Sequence, residues 1–419
     1  MSVVVIGVNQ RSVPIDVFEQ LAIDDDHLAK VLDDLTSSHD IAEAVVLSTC
    51  NRTEIYLRAE RFHPAYADVR DTLARHSGLA LDQFAEHLYT HHDDEAVRHL
   101  FGVACGLESA VLGETEILGQ VRKAFDQARS AGVVGLGLSD LFAASGTAGR
   151  KVRASTGIAR NITSVSRAAV AMATERLGSL DGRSICVLGA GEMSEGMTVA
   201  LRDAGTRRII ICNRSVDRAG ELAERVGGDV APLEQLAQTV AEVDVLLTGT
   251  GANALMIEHE SLARIMADRP DRPLLIVDIA VPRDVDPAAA EIEGVTLLDM
   301  EDLTAFAEVG RAERRGEIAA VRRVIDDEVA RFMATTASRR VEPLVSTFRQ
   351  DVEKLRSAEV DRLSASLDDD ARDQVDAATR AVLNKLLHRP MTELRDSAGT
   401  ARGERLAESL RELFGVELD

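Results

Sequence analysis

The stretch Leu47-Ser-Thr-Cys-Asn-Arg-Thr-Glu-Ile-Tyr56 has the form of two strands joined by a tight polar turn. The apolar run 41–47 enters the turn, and the strand-like run 53–57 leaves it. A thiol on such a turn is reachable, and Arg52 is close enough in sequence to favour the thiolate of Cys50. An isolated Cys-x-Arg pair is more commonly a buried structural cysteine beside a surface arginine. The turn is therefore a candidate nucleophilic site that needs support from the rest of the chain.

The segments around this hairpin predict a small α+β domain. A strand is predicted over 3–8, and helices are predicted over 16–22 and 24–35. Strand, helix, and then two strands joined by a tight turn is the order of a ferredoxin-like sandwich. A helical region is expected to follow, with acids in the first turn of a helix that begins near Asp94.

The composition indicates a globular protein of several domains. The chain has 419 residues, of which 45% are hydrophobic, and this length allows two to four domains. No run approaches the roughly 20 apolar residues of a membrane span, and the first residues do not resemble a signal peptide. The four cysteines show neither metal-type spacing nor a dense disulfide pattern. We expect a cytoplasmic protein without a metal or a membrane partner.

The charge distribution argues against a general nucleic-acid binder but leaves a local basic surface open. The net charge is −22, whereas the segment 119–170 has eight basic residues and only two acids. Lysines and arginines there could contact phosphates or could simply form a solvated helix face. The eight residues are Arg122, Lys123, Arg129, Arg150, Lys151, Arg153, Arg160 and Arg167.

A dinucleotide-binding fold is predicted for the middle of the chain. The strand 183–188 runs into a glycine turn, and a helix follows to about residue 204. Strand, glycine turn and helix is the order that such a fold requires, with free helix N–H groups facing the pyrophosphate. Further buried strands are predicted over 243–248, 274–279 and 295–298. The candidate cofactor contacts in the turn are Gly189, Ala190, Gly191, Glu192, Met193 and Ser194, the last standing where the familiar pattern has glycine.

The residues after the second predicted strand, 209–212, favour NADP over NAD. An NAD site would usually have an acid at this strand end, but the chain has Asn213, Arg214 and Ser215, with Arg218 one helical turn later. Cations and a hydroxyl suit a 2′-phosphate. Ser215 can also be an ordinary helix N-cap, and the two roles are compatible.

The last quarter of the chain is predicted to be entirely helical. One helix is expected from 311 to about 340, and a second is expected to start at Pro343. The segment 368–370 is predicted to be a surface turn. Such helices cannot bury their apolar stripes alone, so they form a coiled coil or a partner-binding arm.

Three segments of the chain closely resemble glutamyl-tRNA reductases: 49–56, 99–122 and 278–287. The resemblance extends over essentially the full length. In this family the cysteine of the decapeptide is the nucleophile, and a histidine just before the glycine-containing segment 106–122 assists activity. The resemblance therefore implies that Cys50 and His99 are catalytic.

The resemblance also implies a two-stage reaction on glutamyl-tRNA. Cys50 forms a thioester and releases tRNA, and NADPH then reduces the thioester to glutamate-1-semialdehyde, which starts tetrapyrrole synthesis. Glu116 stands where the family often has Gln, and a carboxylate there would repel the substrate carboxylate unless it is paired or faces away. The implied substrate contacts are Thr49, Asn51, Arg52, Ser109, Glu114, Thr115, Glu116 and Gln120.

The same resemblance implies a three-domain architecture. A ferredoxin-like catalytic domain is expected over 1–155, a Rossmann NADPH-binding domain over 156–302, and a long linking helix with an all-α dimerisation domain over 303–419. The implied partners are glutamyl-tRNA, a second copy of the chain through the C-terminal helices, and an aminomutase that receives the semialdehyde.

Two other functions are compatible with parts of the sequence. An NADP-dependent dehydrogenase related to shikimate dehydrogenases would have a similar cofactor domain, but it would give Cys50 and the helical tail no role. A non-enzymatic NADPH-sensing scaffold would explain the acidic surface, but it would make the Cys50 decapeptide accidental.

Overall fold

The computed structural model describes residues 2–159, 164–206, 208–252, 254–364 and 368–416. Two compact units are formed, Met1–Asp326 and Asp327–Asp419. Arg160, which belongs to the basic segment, lies outside the described residues. Within the described ranges, we find no helix with the length and apolar character needed to cross a membrane.

The N-terminal part of the first unit contains an antiparallel sheet packed against helices. The strand order is β2-β3-β1-β4, which is the ferredoxin-like order, and this prediction is confirmed. The elements are β1 Ser2–Asn9, α1 Ile15–Leu21, α2 Asp25–Thr36, β2 Ile41–Ser48, β3 Arg52–Ala59, α3 Phe62–Ser77, α4 Leu81–Phe84, β4 Tyr89–His92, α5 Asp93–Ala104, α6 Glu116–Ser130 and α7 Leu136–Ser155.

Glu43 is a buried acid inside the apolar strand β2 and has a structural role. Its carboxylate accepts hydrogen bonds from the backbone N–H groups of Gly135, Gly137 and Leu138, at 2.9, 3.2 and 2.8 Å. These N–H groups lie at the start of α7, where helix geometry leaves them without intrahelical partners. Glu43 therefore caps α7 from the sheet.

The second part of the first unit is a Rossmann-like fold. Among the described residues its sheet is parallel, in the order β10-β9-β8-β5-β6-β7, with β5 at the centre. The predicted class is confirmed, although β7 was not predicted. The elements are α8 Val165–Leu177, β5 Ser184–Leu188, α9 Glu192–Asp203, β6 Arg208–Asn213, α10 Val216–Val226, β7 Asp229–Pro232, α11 Leu236–Glu242, β8 Val245–Thr248, α12 His259–Ala267, β9 Leu274–Asp278 and β10 Val295–Leu298.

The C-terminal part is helical, as predicted, but its helices divide differently. The first, α13, runs without interruption over Met300–Ser364 and contains Pro343, so the predicted helix start at Pro343 is wrong. A proline inside a helix removes one hydrogen bond, and the rest of a long helix can tolerate that loss. The next helices are α14, Asp369–Asp396, and α15, Ala401–Phe414.

The start of α14 also corrects a prediction. The segment 368–370 is not simply a surface turn, because Asp368 accepts a hydrogen bond from Ala371 N and caps the helix. Within the second unit, α13, α14 and α15 share a small apolar core that includes Leu344, Phe348, Met391 and Leu394.

Candidate active site

The turn between β2 and β3 presents Cys50 at its tip. Thr49 N–H donates to the Arg52 carbonyl at 2.8 Å, and Thr49 Oγ1 accepts from the backbone N–H groups of Asn51 and Arg52. The short polar sequence therefore organises its own turn. Cys50 is a free thiol and is partly buried.

Arg52 and Glu54 form a buried ion pair directly behind the turn. Arg52 is 2% exposed and Glu54 is fully buried. Arg52 Nη1 donates to Glu54 Oε1 at 3.0 Å, and Nη2 donates to the carbonyl of Glu108 at 2.5 Å. Its Nε is buried without a hydrogen-bond partner in the described part of the chain. Both terminal nitrogens of the guanidinium are thus held by the protein, and Nε is the nitrogen that lacks a partner among the described residues.

Glu54 accepts hydrogen bonds from four side chains around it. Besides Arg52, these are the hydroxyls of Tyr56 and Tyr89 and the Nε2 of His99, the last at 2.8 Å. Burial alone would raise the pKa of Glu54, but Arg52 and His99 hold it well below the usual range for glutamate. An ionised Glu54 can only accept, so His99 Nε2 carries a hydrogen, and Nδ1 is the acceptor of the neutral ring.

The predicted substrate residues converge on Cys50, with one exception. Thr115 is exposed at the N-cap of α6 and lies outside the lining of the pocket, so its role in substrate binding stays a prediction that this geometry does not favour. His99 is also absent from the pocket wall and contacts it through Glu54 and Arg52. The predicted residues that line one small polar pocket with Cys50 are Thr49, Asn51, Arg52, Ser109, Glu114, Glu116 and Gln120.

Two carboxyl groups in this pocket have unpartnered oxygens. The Oε2 atoms of Glu114 and Glu116 are buried without hydrogen-bond partners among the described residues, and so is Ser109 Oγ. Burial, with help from Glu116, raises the pKa of Glu114 to about 7. Ser109 lies near enough to oppose this rise in pKa, but it is not aligned for a hydrogen bond. The pocket is therefore acidic and incompletely satisfied.

The expected thiolate is not favoured in this structure. Burial raises the pKa of the Cys50 thiol to about 12, and the charges of Glu114 and Glu116 add to the rise. Arg52 lowers this pKa, as expected, but by less than the opposing effects raise it. The correction has a simple cause, because the nearest cation is already paired with Glu54.

The glycine turn after β5 is suited to a close approach by a ligand. Gly189 has φ +109°, and a Cβ there would lie 2.6 Å from Ser194 Oγ. A Cβ on Gly191 would meet nothing within 4 Å, so open space lies at the N-terminus of α9. Ser194 itself is fully buried and faces the carbonyls of Leu188 and Gly249. Its side chain therefore supports the turn from inside the protein, so a contact with the cofactor, which stays a prediction, would use its backbone N–H.

The residues predicted to select NADP occupy different positions at the end of β6. Asn213 and Arg218 line the cleft, whereas Arg214 is exposed outside its lining. Ser215 caps α10 by accepting from Arg218 N. The helix-cap interpretation of Ser215 is confirmed, and Arg218 is the cation best placed at the cleft.

Two buried aspartates of the segment 278–287, to which the sequence analysis gave no individual role, organise the far wall of the cleft. Asp278 accepts from Thr248 Oγ1 and from the N–H groups of Ala280, Asp284 and Val285. Asp284 accepts from both N–H and Oγ1 of Thr250, and burial raises its pKa to about 7. The loops after β8 and β9 are thus held together by side chains.

One cleft joins Cys50 to the glycine turn. It has a volume of about 510 Å³, and its wall includes Thr49, Cys50, Gly191 and Arg218. The loop after β9 also contacts α1, where Arg283 pairs with Glu19 at 2.8 Å and with Asp16. The thiol and the predicted cofactor groove therefore share one continuous space.

Four of the basic residues that the structure describes in the segment 119–170 are engaged by other groups of the protein. Lys123 pairs with Asp25, Arg129 with Asp126, and Arg167 with Asp203. The guanidinium of Arg153 donates to the carbonyls of Ala104, Gly149 and Glu114. For these four residues the structure favours contacts within the protein and with solvent over a surface that binds phosphates.

Glu54 is the main residue that sequence reasoning missed, although a signal for it exists. Alternate residues of a strand point to one face, so Arg52, Glu54 and Tyr56 share a side of β3. A further signal is Gly7, opposite Glu54 on β1, where a Cβ would lie 2.8 Å from the glutamate Cγ. An acid between a cation and a phenol on a buried strand face indicates a hydrogen-bonded network.

Three family models match consecutive parts of the chain. Residues 6–156 match the N-terminal domain of glutamyl-tRNA(Glu) reductase, 171–306 match shikimate / quinate 5-dehydrogenase, and 320–416 match the dimerisation domain of glutamyl-tRNA(Glu) reductase. The shikimate dehydrogenase match is confined to the Rossmann-like part, so it accounts for the second function considered without extending to the Cys50 domain.

Curated relatives match along the whole chain. A glutamyl-tRNA reductase of Frankia alni is 36% identical over 99% of this chain and 96% of its own length. One of Paenibacillus macerans is 34% identical over 100% of this chain and 96% of its own length. The solved glutamyl-tRNA reductase from Methanopyrus kandleri is 30% identical, covers 98% of both chains and has a TM-score of 0.48. The chain belongs to the glutamyl-tRNA reductase family of oxidoreductases.

Proposed function

We propose that this protein reduces glutamyl-tRNA to glutamate-1-semialdehyde with NADPH, through a thioester on Cys50. The observation that supports this function best is the shared cleft, in which a partly buried thiol and a glycine turn line one space. A nucleophile and a hydride donor must reach the same carbonyl carbon, and this cleft is the place where they could meet.

In the first stage the Cys50 sulfur attacks the ester carbonyl that links glutamate to tRNA. A C–S bond forms, the ester C–O bond breaks, and the tRNA leaves with its hydroxyl protonated. Because burial and the two nearby carboxylates raise the pKa of the free thiol, we expect the substrate to help ionise it. The α-ammonium of the glutamyl group would neutralise Glu114, one of the two carboxylates that disfavour the thiolate.

Recognition of the glutamyl group would use the remaining unpaired atoms of the pocket. Arg52 Nε would be a donor for the side-chain carboxylate, and Ser109 Oγ and Glu114 Oε2 would accept from the ammonium group. Buried polar atoms without partners cost free energy, so a ligand that satisfies them binds with selectivity. Thr49, Asn51 and Gln120 would position the carbonyl at the wall of the same pocket.

The residues of the second fold suit a dinucleotide. Gly191 leaves room at the start of α9, where backbone N–H groups favour a pyrophosphate, and Arg218 is placed for a 2′-phosphate. NADPH, when bound, supplies the hydride that reduces the thioester. Cys50 then leaves as the C–S bond breaks, and the aldehyde is released. The other residues proposed to contact the cofactor are Gly189, Ala190, Glu192, Met193, Asn213, Arg214 and Ser215.

The order of the two stages gives the sharpest test. Without NADPH the protein should still deacylate glutamyl-tRNA, and mass spectrometry of the quenched protein should find a glutamyl adduct on the Cys50 peptide. Cys50→Ser should give neither the adduct nor the aldehyde, because a hydroxyl is a far weaker nucleophile without a dedicated base. If no adduct and no deacylation appear until NADPH is added, the two-stage order is wrong.

The three parts of the chain are proposed to divide the work as catalysis over 1–155, NADPH binding over 156–302, and dimerisation over 303–419. Residues 320–416 match a dimerisation-domain model, which supports a homodimer. Transfer of the reactive semialdehyde to an aminomutase, as the first step of tetrapyrrole synthesis, completes the proposal.

The dimer can be tested on an exposed apolar groove of the second unit. Leu355 is 70% exposed and Val382 is 56% exposed, and both line this groove between α13 and α14. Leu355→Glu with Val382→Glu should give a monomer by light scattering, whereas the matched change Glu359→Gln should leave a dimer. A dimer that survives the double change would place the interface elsewhere.

A further inference from the structure

Glu116 lies where the two folds of the first unit touch. It begins α6, and its Oε1 is 3.0 Å from the hydroxyl of Ser166 on α8. The same hydroxyl is 3.0 Å from the carbonyl of Met193, which belongs to the turn that begins α9. Ser166 is fully buried. A short chain of atoms therefore links the Cys50 pocket to the glycine turn.

This arrangement contains one hydrogen too few if Glu116 is ionised. A serine hydroxyl has a single hydrogen, whereas a carboxylate oxygen and a carbonyl oxygen are both acceptors. Both contacts are satisfied together only when the carboxyl of Glu116 donates to Ser166 Oγ and Ser166 donates to Met193. The other carboxyl oxygen, Oε2, is buried without a partner among the described residues, which further disfavours a charge.

The packing around this link is tight. A Cβ on Gly196 of α9 would lie 2.5 Å from Ser166 Oγ and 3.1 Å from Glu116 Oε1. The helix that follows the glycine turn therefore approaches the link as closely as a residue without a side chain allows. A change in the Ser166 geometry would be transmitted to the turn that we propose for the pyrophosphate.

The groups that face Glu116 also favour its neutral form. Glu192 at the start of α9 places a negative charge near Glu116, and Glu114 shares its pocket, where the charge of an ionised Glu116 would raise the pKa of Glu114. Burial, followed by the effect of Glu192, raises the pKa of Glu116, against the lowering effect of the Ser164 and Ser166 hydroxyls. Cys50 is uncharged below its raised pKa, and Arg52 is already paired with Glu54.

We propose that Glu116 is a positioning residue that works in its neutral form, donating a hydrogen bond to Ser166 and so holding the glycine turn against the Cys50 pocket. This inference rests on the proposed use of the cleft by NADPH. It also accounts for a glutamate at a position where glutamine is expected, because a neutral carboxyl and a carboxamide can both donate. Loss of the proton at higher pH would remove the donor and loosen the turn.

The test compares Glu116→Gln with the parent protein across pH. Above the raised pKa of Glu116 the parent should bind NADPH at least about threefold more weakly than Glu116→Gln, and below it the two should be alike. The melting temperature of the parent should change with pH in the same direction. A raised carboxyl pKa stabilises the folded form at low pH, and this stabilisation is lost as pH rises. The matched control Glu195→Gln, at a half-exposed glutamate of α9 that pairs with Arg225, should keep the pH dependence of the parent.

An infrared measurement separates this inference from the proposed function. In the protein alone at neutral pH, a protonated-carboxyl band should be present in the parent and in Glu114→Gln, and weaker in Glu116→Gln. The band does not depend on the substrate, so its presence supports a neutral Glu116 even if glutamyl-tRNA is not reduced. Equal bands in the parent and Glu116→Gln, or NADPH affinities that change with pH identically in both, would overturn the inference.

Discussion

The Cys50 turn and the glycine turn face the same cleft but are built in opposite ways. Behind Cys50 lies a network of buried charged side chains, with Glu54 accepting from Arg52 and His99. At the glycine turn the cleft wall is backbone, and Gly191 leaves its space open. A site made of paired side chains depends on the chemical identity of each residue, whereas a site made of backbone depends on shape.

The first prediction tests the side-chain network, where the largest effect is expected. Glu54→Gln leaves the buried guanidinium of Arg52 without its counter-charge, and breaking such a pair costs roughly 3–5 kcal/mol. Chemical denaturation should show this loss, and reductase turnover should fall with it. Glu60→Gln, an exposed acid beyond the end of the same strand, is the control and should be neutral. A stable and active Glu54→Gln protein would show that the network is dispensable.

The second prediction tests the backbone-built turn with a pair of substitutions. Gly189→Ala forces a side chain into φ +109° and against Ser194, so it should lower the melting temperature as well as NADPH affinity. Gly191→Ala has open space around its Cβ and should keep the melting temperature while weakening NADPH binding about tenfold. Calorimetry and fluorescence titration distinguish the two. Unchanged affinity in Gly191→Ala would place the pyrophosphate elsewhere.

The third prediction concerns the link between carboxylates and the thiol. Glu114→Gln removes one of the charges that raise the pKa of Cys50, so the thiolate fraction at pH 8 should increase. Alkylation of Cys50 by iodoacetamide should become several-fold faster, while the KM for glutamyl-tRNA should rise because the ammonium group loses its partner. Slower alkylation would contradict the proposed sign.

The smallest effect is expected at the cofactor phosphate. Arg214→Asp should reduce the preference for NADPH over NADH only about fivefold, since an exposed charge is worth about 1 kcal/mol or less. Arg218→Asp, at the cleft wall, should reduce it more. Michaelis constants for both cofactors provide the measurement. Equal effects of the two substitutions, or none, would move the 2′-phosphate away from this strand end.

The same contrast explains how much the sequence could predict. Both sheets followed from local signals, namely the hairpin around Cys50 and the strand–glycine–helix order at 183–204. The strand Asp229–Pro232 was missed because it is short and ends in proline, a residue depleted in strands. The helix through Pro343 did not follow from the sequence, because proline usually interrupts a helix. The helical residues on both sides of Pro343 nevertheless continue as one helix.

The candidate site was predicted as a set of residues but not as an electrostatic environment. The resemblance supplied the candidate residues around Cys50, and all of them except Thr115 and His99 line one pocket with it, while their roles stay predictions. The pKa of the thiol could not be inferred, since it depends on burial and on Arg52 being occupied by Glu54. Spacing along the chain gives proximity, but it does not reveal which partner a charge has already taken.

The cap that Glu43 provides also affects the local unfolding of the start of α7. The first amides of a helix normally exchange with solvent early, because no turn precedes them. Here the amides of Gly135, Gly137 and Leu138 are bonded to β2, the strand that leads to Cys50. The protection of these amides from hydrogen exchange therefore reports on the stability of the sheet, and the start of α7 belongs to the same cooperative unit as the Cys50 hairpin.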